Sequence, residues 1–152
     1  MEYYSIMDKK DEKILELLRE NSNLTSHQLS KKLLIPITTV HNRIKKLKEE
    51  GIIKRYTLEL DNKKLGKTVA AFIHITVDYN LLKQMKLSQH DLAKKIKQNE
   101  AVEEAAIVTG GADIIIKVRV KNIEELDYFV TKHLRNIEGI EKTQTMVILN
   151  EI

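Results

Sequence analysis

The stretch "LTSHQLSKKLLIPITTVHNRIKKLKEEG", residues 24–51, holds the one proline of the chain and leaves it little choice of structure. Thr25, followed three residues later by Gln28, forms a capping box that satisfies two otherwise free donors at a helix start. Leu24 ahead of the cap and Leu29 after it are placed to close as a hydrophobic staple. The helix begun there carries Leu29 and Leu33 inward and Lys31 and Lys32 outward. It must end near Leu34, because the residue before a proline is pushed out of the α region. Pro36 suits the first position of a second helix, where its missing N–H costs nothing. Ile37, Val40, Ile44 and Leu47 recur at the spacing of a core-facing stripe. Gly51 fits the left-handed position just past the end. Two short helices therefore meet across a very short turn.

Another helix is expected ahead of them. Asp8 caps its start, Asp11 and Glu12 suit the positive end of its dipole, and Ile14, Leu15 and Leu18 form its buried stripe with Leu17 at the margin. That pattern stops in "NSN", residues 21–23. Three short helices, the last two joined by a tight turn, define a helix-turn-helix unit. Residues 1–51 are assigned to it, and residues 52–66 to a strand, "IIKRYTLEL", followed by a turn-prone linker, "DNKKLG".

Charge sharpens the picture. Residues 1–56 contain 12 Lys and Arg against 8 Asp and Glu, while residues 57–152 contain 14 of each, so the whole net charge of +4 lies in the first third. Between Glu20 and Glu49 there are six bases and no acid. Such a one-sign field attracts a polyanion. At 100° per residue, the face of the last helix opposite its apolar stripe carries Thr38, Thr39, Asn42, Lys45 and Lys46, flanked by Arg43. An α-helix fits the major groove of B-DNA. There Arg bonds twice to guanine, Asn twice to adenine, and Thr offers both a hydroxyl and a methyl that suits thymine. Lysines serve phosphates as point charges. A carboxylate on this face would repel phosphate. A solvated polar face is the plain alternative, but it does not explain an acid-free interval that spans two helices. Double-stranded DNA is thus the expected partner, with Thr38, Thr39, Asn42 and Arg43 at or near the bases. Lys45, Lys46, Lys31, Lys32 and His27 are expected mostly on phosphates.

The remainder, residues 67–152, alternates strand and helix patterns. Strands are expected over 68–78, with Ala71, Ile73, Ile75 and Val77 on one face, and over 102–109, 113–120 and 140–149. Helices are expected from Ser88 to about Gln98, and from Asn122 onward with Leu126, Phe129, Val130, His133, Leu134 and Ile137 at the 3.6-residue period. The order is βαββαβ, a ferredoxin-like sheet with helices on one face, which makes the whole chain α+β. Its other face would expose Phe72, Ile115, Met146 and Ile148, and an apolar face of that size implies a partner. "TGGAD", 109–113, joins two strands. It is either a glycine hairpin turn or a place where bare backbone N–H groups meet a small ligand.

No chemistry of bond making is indicated. The chain has no cysteine, and its histidines at 27, 41, 74, 90 and 133 lack a zinc spacing. Phosphate loops and nucleophile elbows are absent. No catalytic residue, metal or cofactor is assigned. The opening residues lack the apolar core of a secretory signal and no run approaches the ~18 apolar residues of a membrane span, so a cytoplasmic location is expected.

Four blocks in order resemble the Lrp/AsnC (feast/famine) transcription regulators. "MDKKDEKILELL" looks like the family's opening "LDxxDxxIL". "VHNRIKKLKEEGIIKRY", 40–56, is similar to its recognition helix and following strand. "VTGGADIIIKV", 108–118, looks like "VTGxxDxxL", and "GIEKTQTMVIL", 139–149, resembles "GVxxTxT". The resemblance implies a winged helix-turn-helix domain joined to a βαββαβ regulatory domain. It implies homodimers through the open sheet faces, their assembly into tetramers or octamers, and contact with the basal transcription machinery. It also implies an amino-acid effector near Thr109, Gly110, Gly111 and Asp113. Two positions depart from the pattern: Asn23, where the family usually has Arg, and Pro36, where it usually has Ser. The competing readings are an amino-acid-sensing oligomer whose helical domain binds protein, and an architectural protein that coats DNA without sequence choice.

Overall fold

The computed structural model describes residues 7–151. The opening residues 1–6, part of the stretch read as lacking a signal sequence, lie outside them. The chain divides into two compact units, residues 1–60 and 61–152, and the division falls inside the stretch expected to link them.

The first unit is three helices: α1 (Lys9–Glu20), α2 (Ser26–Leu33) and α3 (Ile37–Glu49). The first two begin where local chemistry places them. Asp8 and Asp11 form a full capping box on α1, as Thr25 and Gln28 do on α2. The buried cluster is Ile14, Leu18, Leu29, Val40 and Leu47, and Leu24, Ile35, Ile44 and Ile53 pack on it. Gly51, with φ +73°, follows the Glu50 cap, and the Ile53 N–H returns to the Leu47 carbonyl at 3.0 Å.

Three local expectations change. Pro36 is the N-cap rather than the first helical residue, with ψ 140° and no side-chain cap bond, so α3 starts one residue later. Ile37 does not join the core stripe. It is 46% exposed, while Ile35 from the turn packs on the cluster. Residues 52–60 form no strand, since extended backbone becomes a strand only when a ladder partner satisfies it and none is paired here. The wing implied by the resemblance is thus absent from these residues, whose Tyr56, Leu58 and Leu60 stand exposed.

The second unit follows the expected order with one addition: β1 (Val69–Val77), α4 (Tyr79–Gln84), α5 (Gln89–Lys97), β2 (Val102–Ile107), β3 (Ile114–Val120), α6 (Ile123–Tyr128) and β4 (Ile140–Val147). The short α4, capped by Asp78, carries too few residues to show a period and was not foreseen. Beyond α6 the coil widens to π-type turns over Phe129–Leu134. Phe129, Val130 and Leu134 still face inward there, but His133 is exposed against Tyr128 rather than at the edge of the core.

The four strands lie in the order β2-β3-β1-β4 with every neighbouring pair antiparallel. This is the split βαβ topology. Ala71, Ile73, Ile75 and Val77 meet Ile114, Ile116 and Val118 on the helix-covered face, and Leu92, Ile96, Leu126, Phe129 and Leu134 cover them. The opposite face is uncovered. Phe72 lies across from Met146, both 39% exposed, with Ile115 and Ile148 half-buried on the same side.

One end of that open face carries an ion network. Arg119, only 7% exposed, donates to Glu103 and Glu151, each at 2.6 Å, and Lys117 reaches Glu151 at 2.9 Å. The bonds from Arg119, and then from Lys117, pull the Glu151 carboxyl down from its ordinary 4.5 to about 2. A depressed carboxylate stabilises the fold above its unfolded value and loses that contribution as pH falls through the folded one. Wild type should therefore melt above Glu151→Gln at neutral pH. The gap should close between pH 4.5 and about 2, as followed by circular dichroism. A gap that ignores pH across that window would rule out the ionic origin.

Candidate nucleic-acid interface

The helix-turn-helix unit presents α3 with a sharply divided surface. Val40 and Leu47 are buried and Ile44 is half-buried, while Thr38, His41, Asn42, Lys45 and Lys46 are exposed. Thr38, Asn42 and Lys45 recur at i, i+4 and i+7, so they share one stripe of the helix. His41 is exposed beside them, though neither charge nor a metal spacing marks it in the sequence. Thr39 is half-buried at the margin rather than on the crest. From α2, His27 stands exposed in the first turn, and Lys31 and Lys32 in the last.

Lys45 lies 3.8 Å from Glu49 and Lys46 lies 3.7 Å from Glu50, both exposed i,i+4 pairs. Pairs of that kind are worth only a few tenths of a kcal/mol (about 0.3–0.5) and yield readily to a stronger anion. Lys48 sits over the Tyr56 ring, 4.9 Å from its centroid.

Arg43, expected at or near the bases, is engaged within the unit. Its guanidinium turns back to α1, with Nη2 at 2.7 Å from Asp8 Oδ2 and Nη1 at 2.8 Å from Asp11 Oδ1. Asp11 is 3% exposed. The same two carboxylates also build the α1 capping box: Asp8 Oδ1 accepts from the Lys10 and Asp11 N–H groups, and Asp11 Oδ2 accepts from the Asp8 N–H. The Arg43 charge is thus neutralised inside the unit, its pKa is raised first by the bond to Asp11, and its Nε is buried without a partner. The backbone N–H of Asp11, helped by Arg43 and opposed by desolvation, holds the Asp8 carboxyl below its ordinary value. Nothing in the sequence around Arg43 signals this, because its partners lie 32 and 35 positions away.

The glycine turn has its own geometry. Gly110, with φ +117°, makes the reversal, and Thr109, Gly110 and Gly111 are exposed. Asp113 is bonded within the chain. Its Oδ2 accepts from the Val77 N–H and its Oδ1 from the Tyr79 hydroxyl, each at 2.8 Å. Its carbonyl accepts from the Gln89 side chain at 2.8 Å. It ties β3 to the end of β1 and to α4 and α5, and bonding to it raises the Tyr79 pKa. Among the described residues no group of three or more His, Asp or Glu is placed to hold a metal ion, and no helix is long and apolar enough to cross a membrane.

A basic helix-turn-helix unit ahead of a split βαβ sheet is the architecture of a DNA-binding transcription regulator. Comparison with known proteins narrows the class. The family description "Lrp/AsnC ligand binding domain" matches residues 70–152, and a winged helix-turn-helix DNA-binding description matches residues 7–54. An HTH-type transcriptional regulator of Pyrococcus horikoshii is 43% identical over 142 residues, covering 93% of this chain and 92% of that relative. The regulator FL11 of Pyrococcus furiosus is 36% identical over 144 residues, covering 95% and 90%. Among solved structures, AsnC of E. coli superposes with a TM-score of 0.82 at 28% identity, covering 96% of this chain and 94% of the other. A transcriptional regulator of Neisseria meningitidis in complex with L-Met superposes at 0.87 and 26%, covering 96% and 92%. The chain belongs to the Lrp/AsnC family of transcription regulators, which are DNA-binding proteins and not enzymes.

Removing Arg43 leaves Asp11 buried and unpaired, a change that costs several kcal/mol when burial is complete. Arg43→Ala should destabilise the helical unit by roughly 2–3 kcal/mol, the partial exposure of Arg43 reducing the full penalty. Arg43→Ala combined with Asp11→Asn should recover part of the loss. Urea titrations of both variants measure it, and a single variant as stable as wild type would refute the clamp.

Proposed function

We propose that this protein is a sequence-specific regulator that binds operator DNA as a homodimer, in the cytoplasm. The observation that carries the reading is the exposed face of α3, which together with α2 presents Lys31, Lys32, Lys45, Lys46 and Lys48 with no acid between Glu20 and Glu49. With Arg43 committed to α1, base contact falls to Thr38 and Asn42, with Thr39 at the margin. Lys31, Lys32, Lys45, Lys46 and His27 hold phosphates. Two copies joined through their open sheet faces would set two α3 helices into successive major grooves, about 34 Å apart. The exposed Phe72 and Met146 support that pairing. Tetramers or octamers would follow from further contacts between dimers, and regulation from the position of the bound protein relative to the transcription machinery.

An amino-acid effector belongs to the same proposal. The Neisseria meningitidis relative is described with L-Met, and here Thr109, Gly110 and Gly111 offer exposed backbone at a turn. Asp113 would act by holding that turn in place, since both its carboxylate oxygens are engaged within the chain.

Selecting DNA from a random pool with the purified protein, then measuring affinity for the selected and for random duplexes at several salt concentrations, tests the central reading. Asn42→Ala should weaken the selected site by about 1–3 kcal/mol and leave random DNA unchanged. Lys31→Ala should weaken both alike and flatten the salt dependence by about one unit. Equal affinity for both duplexes would instead indicate a coating protein. For the effector, calorimetry against the twenty amino acids should show one or a few binders, lost in Gly111→Asp. Silence across all twenty would leave "TGGAD" as a turn.

A further inference from the structure

The turn between α2 and α3 exposes apolar side chains that packing within the unit does not use. Leu34 is 90% exposed and Ile37 is 46% exposed, with Pro36 exposed between them. Leu34 also sits at φ +54° and ψ +42°, the left-handed region that is strained for any residue with a Cβ. Glycine would relieve the strain, and a polar residue would suit the water. Packing within the unit gives no account of leucine here, since the side chain is almost wholly outside.

The turn is nevertheless firmly built. The Ser30 hydroxyl donates to the Ile35 carbonyl at 2.6 Å, the Ile35 N–H returns to the Ser30 carbonyl at 3.3 Å, and the Leu34 N–H also bonds to Ser30. Leu34 and Ile37 are therefore held out by a braced turn and by the first turn of α3. Their setting is cationic, with Lys31 and Lys32 just before and Lys45 and Lys46 some two turns further along α3. An apolar patch within a one-sign positive field suits a surface that is anionic overall and apolar in one place.

We propose that Leu34 and Ile37 form a methyl-reading edge that recognises thymine in the major groove. The inference rests on α3 entering that groove, and it adds what the groove must contain. The N-terminal residues of a recognition helix are the ones that meet base edges. The apolar group displayed on the major-groove edge is the thymine C5 methyl. Ile37 and Leu34 have no hydrogen bond to offer a base, so methyl contact is the discrimination open to them. With Thr38 alongside, whose methyl serves the same purpose, and Asn42 suited to adenine, the half-site is a thymine-bearing, A·T-rich sequence.

Deoxyuridine tests this directly, because it differs from thymine only by the absent methyl. Sites are first selected from a random pool with the full chain, and thymines are then replaced by deoxyuridine one at a time. Burying one methyl is worth about fourfold in affinity, so one or two positions in each half-site should lose roughly that factor. In Ile37→Ala the loss at its position should vanish, while affinity for random DNA and the salt dependence stay as in wild type. Leu34→Gly provides a second variant that relieves the backbone strain and so keeps the fold. Its melting temperature should equal or exceed that of wild type, and its deoxyuridine penalty should likewise disappear. Selected sites without thymine, or deoxyuridine duplexes bound as tightly as the parent, would overturn the proposal and give the patch to a protein partner. Persistence of the penalty in both variants would overturn it as well. Absence of any duplex binding at low salt would instead remove the DNA-binding reading on which it stands.

Discussion

The arrangement of the DNA-binding unit depends on a single charge cluster, the guanidinium of Arg43 held between Asp8 and Asp11. Helices of 8 to 13 residues are marginal by themselves, and a five-residue buried cluster supplies little orientation because apolar contact is non-directional. A two-pronged ion pair supplies it. Each carboxylate spends one oxygen on the start of α1 and the other on α3, so the direction of α1's first turn and the rotation of α3 about its axis are set together. That rotation decides which side chains face outward. The surface presented by Thr38, His41, Asn42 and Lys45 is consequently a product of a contact on the opposite side of the helix.

The second unit solves a different problem. A four-stranded sheet with helices on one side has one face to fill and one to leave open. The alternation along β1 and β3 fills the first with Ile and Val. On the open face the apolar residues Phe72, Met146, Ile115 and Ile148 coexist with a compact ion network at one end, where Arg119 is nearly buried by Glu103 and Glu151. Apolar area provides driving force for association, and fixed charges provide register. Asp113 stiffens the edge next to the glycine turn by linking β1, β3, α4 and α5, so a signal received at that turn would be passed to four elements at once.

Much of this was legible in the sequence because it is local. The capping boxes at Asp8, Thr25 and Ser88, the Asn122 cap, the alternation in 68–78 and the acid-free interval all involve neighbours within a few positions. The misreadings share a cause. Residues 52–60 have the composition of a strand, yet a strand requires a second chain segment beside it. Ile37 has the spacing of a core residue, yet it stands exposed at the first turn of α3 while Ile35 packs on the core. Arg43 has the chemistry of a guanine reader, yet its charge was claimed by carboxylates more than 30 positions away.

The sequence by itself determined roughly where most helices and the sheet strands begin, which face of most is apolar, and that the net positive charge lies in the first third of the chain. These follow from periodicity and from the pairing of backbone donors with side chains a turn away, which no distant contact needs to supply. Only the tertiary structure decided which outward residues are free to act. Whether an arginine faces solvent or a buried acid, and whether an aspartate meets a ligand or braces a strand, depends on segments far apart in the chain arriving at the same place.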